Sequence, residues 1–583
     1  MLDPESEWRV NEWLTSPIDS ETKDTIRNLM RDDPKALHDG FATTLSFGTG
    51  GMRGIMGVGT NRINLYTIQM ATQGLANYLL KQPQQRKEPH VFIGYDSRHN
   101  SKEFAMEAAR VLAGNGIGVY LCFEIRPTPY ISFGVRKKQC AAGIMITASH
   151  NPKEYNGYKV YWDNGAQVVA PHDVGIVQEV KKITHLNEVK IAPDNSPLIK
   201  ILDPEFDFEY LEEIQKVQID SKEDKKVGDQ LKITYTPLHG TGNMLLPRAL
   251  KSWGFTQVEL VDRQAVPDGD FPTVFSPNPE NRDALSMGVE QMQNTASDLL
   301  IATDPDADRI AIATMHEESP YYFNGNQIAA ICLEYLCEML SQQEKLKNNH
   351  AVISTIVTTD LLKVICDAHH LPYFSVLTGF KYIGEMIDRW QKGGNPYEFL
   401  FGAEESYGYL IGTHSLDKDA IVSGCLIAEI ALLMKVEGRT LVDFLKQIYK
   451  KYGFFWERQK TIDFAPGLEG MKTMEEMMEH LRHSPPSQIG VFDVEIIEDY
   501  ELSQRHHLRS DEKSPLNLPV SNVLLFRFSD QSKLVVRPSG TEPKLKIYAG
   551  CYLPQFTNLA ESEKACNEKI DLLLEGLAPL LNE

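Results

Sequence analysis

The chain lacks a CxxC pair, an apolar run long enough to cross a membrane, a surplus of basic residues and any short-period repeat. Its eight cysteines (Cys122, Cys140, Cys332, Cys337, Cys366, Cys425, Cys551 and Cys566) are scattered through a chain too large to need stapling. Reduced, mostly buried thiols are therefore expected. The longest apolar stretch, Cys425 to Val436, is interrupted by Glu429 and falls short of the ~20 residues of a membrane span. Basic residues number 59 against 80 acidic ones, a net charge of −21, which disfavours nucleic acid and anionic membranes as partners. An anionic ligand would need a locally basic site. The opening MLDPESEWRVNEW has neither the basic start and apolar stretch of a signal peptide nor the composition of a transit peptide, so a cytoplasmic location is expected.

What is present is an ordinary globular balance, 42% hydrophobic and 24% charged over 583 residues, enough for roughly three to five domains at ~100 to 200 residues each. Strand-length apolar runs alternate with amphipathic stretches, as in HVFIGYDSR, SKEFAMEAARVLAGNG and IGVYLC, the pattern of a βαβ unit. The alternation returns at LKITYTPLHGTG, SDLLIATDPDADR and HAVISTIVTTD, predicting several mixed α/β layers in series. The charged stretch Asp207 to Lys226 reads as a linking helix with a solvated loop, and softer borders lie near Ser319 and Gly438. The region beyond Gly438 ends in the β-rich NVLLFRFSDQSKLVVRPSGTEPKLKIYAG.

Several constellations could carry chemistry. In TASHNPKEYNGYKVY, Ser149 leaves a strand-like run among Ala148, His150, Asn151 and Pro152. It reads either as an exposed nucleophile or as an ordinary Ser/Asn/Pro turn, and no GxSxG elbow supports a hydrolase. Asp304, Asp306 and Asp308 in ATDPDADRIAIA also end an apolar run. Residues two apart on a straight strand lie ~6.6 Å from each other, so one ion joins all three only if the loop curls, which Pro305 favours. Three carboxylates within about 4 Å would repel by roughly 4 kcal/mol per pair at an effective dielectric near 20. A hard cation relieves this, and Mg²⁺ suits an all-oxygen set that leaves room for phosphate or water. The alternative is a solvated acidic turn. An EF-hand is excluded, because Arg309 and Met315 stand where glycine and glutamate are required.

FGAEESYGYLIG places Glu404, Glu405 and Ser406 between glycines, with Asp417, Lys418 and Asp419 close behind. Such a loop can accept hydrogen bonds from sugar hydroxyls or lie on a solvated surface, and Lys418 is a surface ion-pair residue or a tuned proton donor. LVVRPSGTEPKLKIY sets Arg537, Ser539, Gly540, Thr541 and Lys544 in one turn, a phosphate cradle or a plain hairpin. FGTGGMRG, with Gly48, Gly50, Gly51, Arg53 and Gly54, is a glycine loop that matches neither a P-loop nor GxGxxG.

Taken in order, FGTGGMRG, TASHNP, DPDADR, GAEES and RPSGTEPK resemble the signatures of the α-D-phosphohexomutase superfamily over nearly the whole chain. GTGGMRG, AEESYGY and LDKDA look most like its phosphoglucomutase branch, which includes phosphopentomutases and glucose-1,6-bisphosphate synthases. The resemblance implies an α/β, heart-shaped, four-domain protein: three related mixed α/β domains and a C-terminal domain like the TATA-box-binding protein. The expected divisions are a phosphoserine domain over 1–204, a metal-binding domain over 205–318, a sugar-binding domain over 319–438 and a phosphate-binding domain over 439–583. Ser149 matches the phosphoserine, with Arg53, His150 and Lys159 around it. Asp304, Asp306 and Asp308 match Mg²⁺ ligands joined by Ser149, and Arg309 matches an arginine near the reacting phosphate. Glu404 and Ser406 match the sugar loop, and Gly379 and Lys381 in TGFKYI the loop that distinguishes two sugar orientations. Arg537, Ser539, Gly540 and Thr541 match the distal phosphate loop, and Lys418 a proton-transfer lysine. Leu416 stands where many glucose-specific relatives carry arginine.

The implied activity is a phosphosugar mutase interconverting glucose 1-phosphate and glucose 6-phosphate, extending to ribose or deoxyribose 1- and 5-phosphates. Glucose 1,6-bisphosphate is the implied activator and intermediate. A glucose-1,6-bisphosphate synthase and a non-catalytic phosphosugar sensor are the alternatives. A phosphosugar is the only expected partner, with no nucleic acid and no membrane, for a monomer or weak homo-oligomer.

Overall fold

The computed structural model describes residues 2–45, 47–48, 50–82, 88–465, 468–539 and 543–582. The chain forms two compact units, Met1–Gly325 with Phe380–Gly438, and Asn326–Gly379 with Arg439–Glu583.

The first unit contains two mixed sheets. In one, the strands run in the order Gly51–Ile55, Tyr155–Trp162, Ala142–Ile146, His90–Tyr95, Gly118–Leu121 and Ile199–Ile201. The last four are parallel, and the first two turn antiparallel at the edge. The expected βαβ unit is present, with helix Ser101–Gly114 joining His90–Tyr95 to its parallel neighbour Gly118–Leu121. Its strands are buried and nearly continuously apolar, as parallel strands covered on both faces must be.

The second sheet orders Ser319–Tyr322, Ile310–His316, Leu299–Thr303, Lys232–Thr236 and Gln257–Leu260. Its last three strands are parallel and its first two antiparallel. The hairpin of Ile310–His316 with Ser319–Tyr322 carries this sheet past residue 318.

Two charged features read differently in three dimensions. Helix Phe206–Gln215 buries Phe206, Asp207, Tyr210, Leu211 and Ile214, so half of the stretch expected to be a solvated link is packed. Asp207 is held between Arg126 Nε at 2.9 Å and Arg248 Nη1 at 2.6 Å. The apolar run containing Glu429 is helix Ala420–Val436, buried on nearly every side and capped by Asp419. Glu429 is buried with it and accepts the Ile219 and Asp220 N–H groups at 3.2 and 3.3 Å. A buried carboxylate is tolerated when backbone donors receive it. No helix among the described residues is long and apolar enough to cross a membrane. All eight cysteines are buried.

In the second unit, parallel strands His350–Thr355 and Tyr373–Val376 flank helix Leu361–Ala368. An antiparallel sheet follows, in the order Phe454–Asp463, Lys544–Leu553, Lys533–Pro538, Leu524–Phe528, Phe492–Asp499, Gln504–His507 and Glu512–Pro515. Helix Leu559–Asn582 packs on strand Lys544–Leu553. Asn326 Nδ2 donates to Glu457 Oε2 at 2.9 Å, and Lys533 reaches the Thr358 carbonyl at 2.6 Å and Asp360 at 3.1 Å.

Burial pushes the Glu457 carboxyl from 4.5 up to about 7. Because the folded state holds this proton more tightly, its stabilising contribution is complete below pH 4.5 and is lost as pH rises through about 7. Glu457→Gln keeps an oxygen for Asn326 and cannot ionise. Its Tm should fall less than the wild type's between about pH 5 and 8, and an identical slope in thermal melts would contradict this assignment.

Candidate active site

Three of the singled-out motifs occupy the same kind of place: the turn between a buried strand and an antiparallel partner. TASHN follows Ala142–Ile146, with Ile146 opposite Tyr158. DPDADR follows Leu299–Thr303, with Thr303 opposite Ile310. EESY follows Glu398–Glu404, with Glu404 opposite Gly408. A rigid strand thus delivers each reactive group to a loop it cannot leave.

Ser149 is buried, with φ 53°. Its N–H donates to Thr147 Oγ1 at 2.8 Å and its hydroxyl to Asp304 Oδ2 at 2.8 Å, while His150 Nδ1 lies 3.1 Å from the same hydroxyl. Burial, reinforced by Arg309 and Arg53, holds His150 well below its ordinary value, so the ring is neutral. The Ser149 and Asp304 turns, 155 residues apart, therefore meet at the nucleophile candidate.

The DPDADR loop does curl. Ala307 takes φ 48°, its N–H donates to the Asp304 carbonyl at 2.9 Å, and Asp304 Oδ1 accepts the N–H groups of Asp308 (3.1 Å) and Arg309 (3.0 Å). One oxygen from each of Asp304, Asp306 and Asp308 then lies within 4.8 Å of the others, all buried. Asp306 Oδ1 and Asp308 Oδ1 are buried oxygens with no hydrogen-bond partner. Buried carboxylate oxygens without a hydrogen-bond donor, one of them 3.9 Å from Arg309 Nε, fit a divalent cation. Burial and the two neighbouring carboxylates push Asp304 well up. Burial pushes Asp306 the same way, but Lys159 outweighs it and holds that carboxylate low.

Lysines meet this loop from two directions. Lys159 Nζ lies 2.7 Å from Asp306 and 3.1 Å from Asp308. Lys418 Nζ lies 3.0 Å from Asp308 and 3.6 Å from Asp417. Burial lowers Lys418, but Asp308, Asp417 and Glu404 outweigh it and raise it above its ordinary value, so it is an ammonium. Its stem crosses Gly408 so closely that a Cβ there would stand 2.3 Å from Lys418 Cδ. Burial pushes the neighbouring Glu404 carboxyl up to about 7, opposed by Lys418. Arg309 Nη1 pairs with Glu280 at 2.6 Å. Arg53 Nη1 donates to Asn151 Oδ1 at 3.0 Å from strand Gly51–Ile55, where Gly51 is required: φ is 136° and a Cβ would sit 1.8 Å from the Tyr158 carbonyl oxygen.

The first unit thus holds Arg53, Ser149, His150, Lys159, Asp304, Asp306, Asp308, Arg309, Glu404, Ser406 and Lys418. Lys381 belongs to it as well, in the first turn of helix Phe380–Gln391 instead of a loop, with Nζ 4.9 Å from the Tyr382 ring centroid. Leu416 is fully buried. Gly379 (φ 122°), Arg537 and Ser539 belong to the second unit. There Arg537 faces Lys546 across a hairpin, and the Ser539 N–H donates to the Lys544 carbonyl at 2.8 Å. Gly540 and Thr541 lie outside the described residues.

Sequence reasoning missed Asp96, Arg98 and Thr147, which hold the Ser149 turn, and Thr128, whose hydroxyl donates to Asp306 Oδ2 at 2.7 Å. The available signal was the polar DSR closing the apolar HVFIGY run.

These turns and this fold define an enzyme of the α-D-phosphohexomutase architecture, with three α/β domains and a β-rich C-terminal one. Phosphoglucomutase/phosphomannomutase alpha/beta/alpha domains I, II and III match residues 44–187, 208–317 and 324–452. The chain belongs to the phosphoglucomutase/phosphomannomutase family, and by class it is a phosphotransferase of the mutase type. It is 40% identical to a Staphylococcus aureus phosphoglucomutase over 90% of this chain and 93% of that protein. A Staphylococcus epidermidis phosphoglucomutase is 38% identical over 94% of this chain and 98% of its own. In fold the chain is similar to the open form of Paramecium parafusin, a phosphoglucomutase, with TM-score 0.68 and 19% identity over 93% of this chain and 96% of that one.

Proposed function

We propose that the protein interconverts glucose 1-phosphate and glucose 6-phosphate through a phosphoryl group carried on Ser149, and accepts pentose 1-phosphates by the same route. The observation that carries this reading is the 2.8 Å hydrogen bond from the Ser149 hydroxyl to Asp304 of the three-aspartate loop. A candidate nucleophile and a candidate cation ligand there lie within hydrogen-bonding distance. Asp304, Asp306, Asp308 and Ser149 would hold Mg²⁺, which neutralises charge on the transferring phosphoryl group.

In the forward half-reaction, the P–Oγ bond of phosphorylated Ser149 breaks as a bond forms from phosphorus to the O6 hydroxyl of glucose 1-phosphate. The product is glucose 1,6-bisphosphate. Glu404, whose carboxyl burial pushes up to about 7, would accept the O6 hydroxyl proton, and Lys418, held as an ammonium, would supply a proton to Ser149 Oγ as it leaves. Arg53, Lys159 and Arg309 provide positive charge around the phosphoryl group. After the bisphosphate turns over, the bond from phosphorus to O1 breaks as a bond forms from phosphorus to Ser149 Oγ, which regenerates the phosphorylated serine and releases glucose 6-phosphate. Gly379, Lys381, Glu404 and Ser406 would read the sugar, and Arg537, Ser539, Gly540 and Thr541 would hold the distal phosphate. On this reading the domains are 1–204, 205–318, 319–438 and 439–583, in a cytoplasmic monomer or weak homo-oligomer.

Coupled assays with catalytic glucose 1,6-bisphosphate should show glucose 6-phosphate formed from glucose 1-phosphate, with kcat/KM for deoxyribose 1-phosphate measured alongside. Failure to turn over either sugar, with rapid bisphosphate formation from 1,3-bisphosphoglycerate, would replace the mutase reading by the synthase.

A further inference from the structure

Ser149 holds a left-handed backbone, φ 53°, which a non-glycine residue keeps only where its surroundings over-determine it. Much of that determination comes from one guanidinium. Arg98, 3% exposed, donates to the carbonyls of Ser149 (2.6 Å), Asn151, Pro152 (2.8 Å) and Tyr155 (3.0 Å). Its Nε lies 3.3 Å from Asp96 Oδ2. Asp96 also accepts the Thr147 hydroxyl at 2.6 Å and the Ser101 hydroxyl at 2.8 Å. Thr147 Oγ1 in turn accepts the Ser149 N–H at 2.8 Å. The ring of Phe271 closes the other side, 4.9 Å from the guanidinium carbon.

We propose that Arg98, seated on Asp96, is a positioning residue that sets the reach of Ser149 Oγ toward Asp304, through the direction of its hydrogen bonds and not through its charge. The inference rests on Ser149 being the phosphoryl carrier. Asp96, 3.3 Å away and equally buried, cancels most of the guanidinium's field at longer range, so the pair offers a phosphoryl group little net attraction. What remains is geometry. Four carbonyls of one turn converge on a planar fork with five donors, whereas an ammonium has three donors and no plane. With fewer donors the turn relaxes and Oγ moves, and a displacement of ~1 Å costs about 10²-fold in rate.

Arg98→Lys keeps the charge and removes the fork. Thr147→Val removes one hydroxyl from the same framework and serves if Arg98→Lys does not fold. Both should lower kcat by about 10- to 100-fold while KM for glucose 1-phosphate stays within about threefold. Intact mass after equilibration with glucose 1,6-bisphosphate should show a reduced phosphorylated fraction in both. Wild-type kcat in folded Arg98→Lys and Thr147→Val, a loss confined to KM, or a fall in Tm with kcat unchanged would each overturn the inference. Ser149→Ala separates the two levels. If it retains turnover, the phosphoryl-carrier reading fails and this inference with it; if it is inactive while the framework variants match the wild type, only this inference fails.

Discussion

Ser149→Ala should lose at least about 10⁴-fold in kcat, because removal of a covalent nucleophile leaves only binding and electrostatic stabilisation to act on an inert phosphate monoester. Little else should change. Alanine occupies φ 53° as serine does, and the deleted group is one hydroxyl whose partners are Asp304 at 2.8 Å and His150 at 3.1 Å. The net stability effect of such a hydrogen bond is about 1 kcal/mol, so thermal melts should stay close to the wild type. The variant should also show no phosphoryl mass increment after incubation with glucose 1,6-bisphosphate. An inactive Ser149→Ala with a collapsed Tm would point to a structural role instead.

Asp304→Asn should separate catalysis from stability in the opposite sense. Asp304 is pushed up by burial and by Asp306 and Asp308, so without a cation its charge opposes folding. Asparagine keeps an oxygen for the N–H groups of Asp308 and Arg309, now at 3.1 and 3.0 Å from Oδ1. The metal-free variant should therefore melt no lower than the metal-free wild type. Its turnover with Mg²⁺ should fall by about 10³-fold, the scale of removing one element of transition-state charge stabilisation. The wild type should gain about 2.7 kcal/mol when Mg²⁺ is present at a hundred times its Kd, and the variant should gain little at the same concentration. Equal thermal shifts in the two proteins would remove Asp304 from the metal site.

The sequence made the reactive turns legible because each is contiguous. DPDAD carries its own curl through Pro305 and Ala307, and three carboxylates in five residues have few uses in a buried turn. The βαβ unit around HVFIGY and SKEFAMEAARVLAGNG was equally plain, since burial on both faces leaves an apolar run. Arg98 was marked only by the polar DSR that closes the HVFIGY run, and its role depends on carbonyls 51 to 57 residues away that leave no mark on side-chain composition. Asp207 misled for a related reason: an acidic residue beside other charges looks solvated until the partners Arg126 and Arg248, distant in sequence, are seen to enclose it. The family resemblance implied a loop at TGFKYI, yet Phe380 to Gln391 is a helix that buries Phe380, Ile383, Ile387 and Trp390 along one face.

The central claim is that the phosphoryl group given to the sugar comes from Ser149 and not from the sugar's own carbon 1. Protein carrying a labelled phosphoryl group can be mixed in excess with unlabelled glucose 1-phosphate and quenched within one turnover. The label should leave Ser149, appear first in glucose 1,6-bisphosphate and then at position 6 of glucose 6-phosphate. Unlabelled glucose 6-phosphate formed while the label stays on the protein would contradict it.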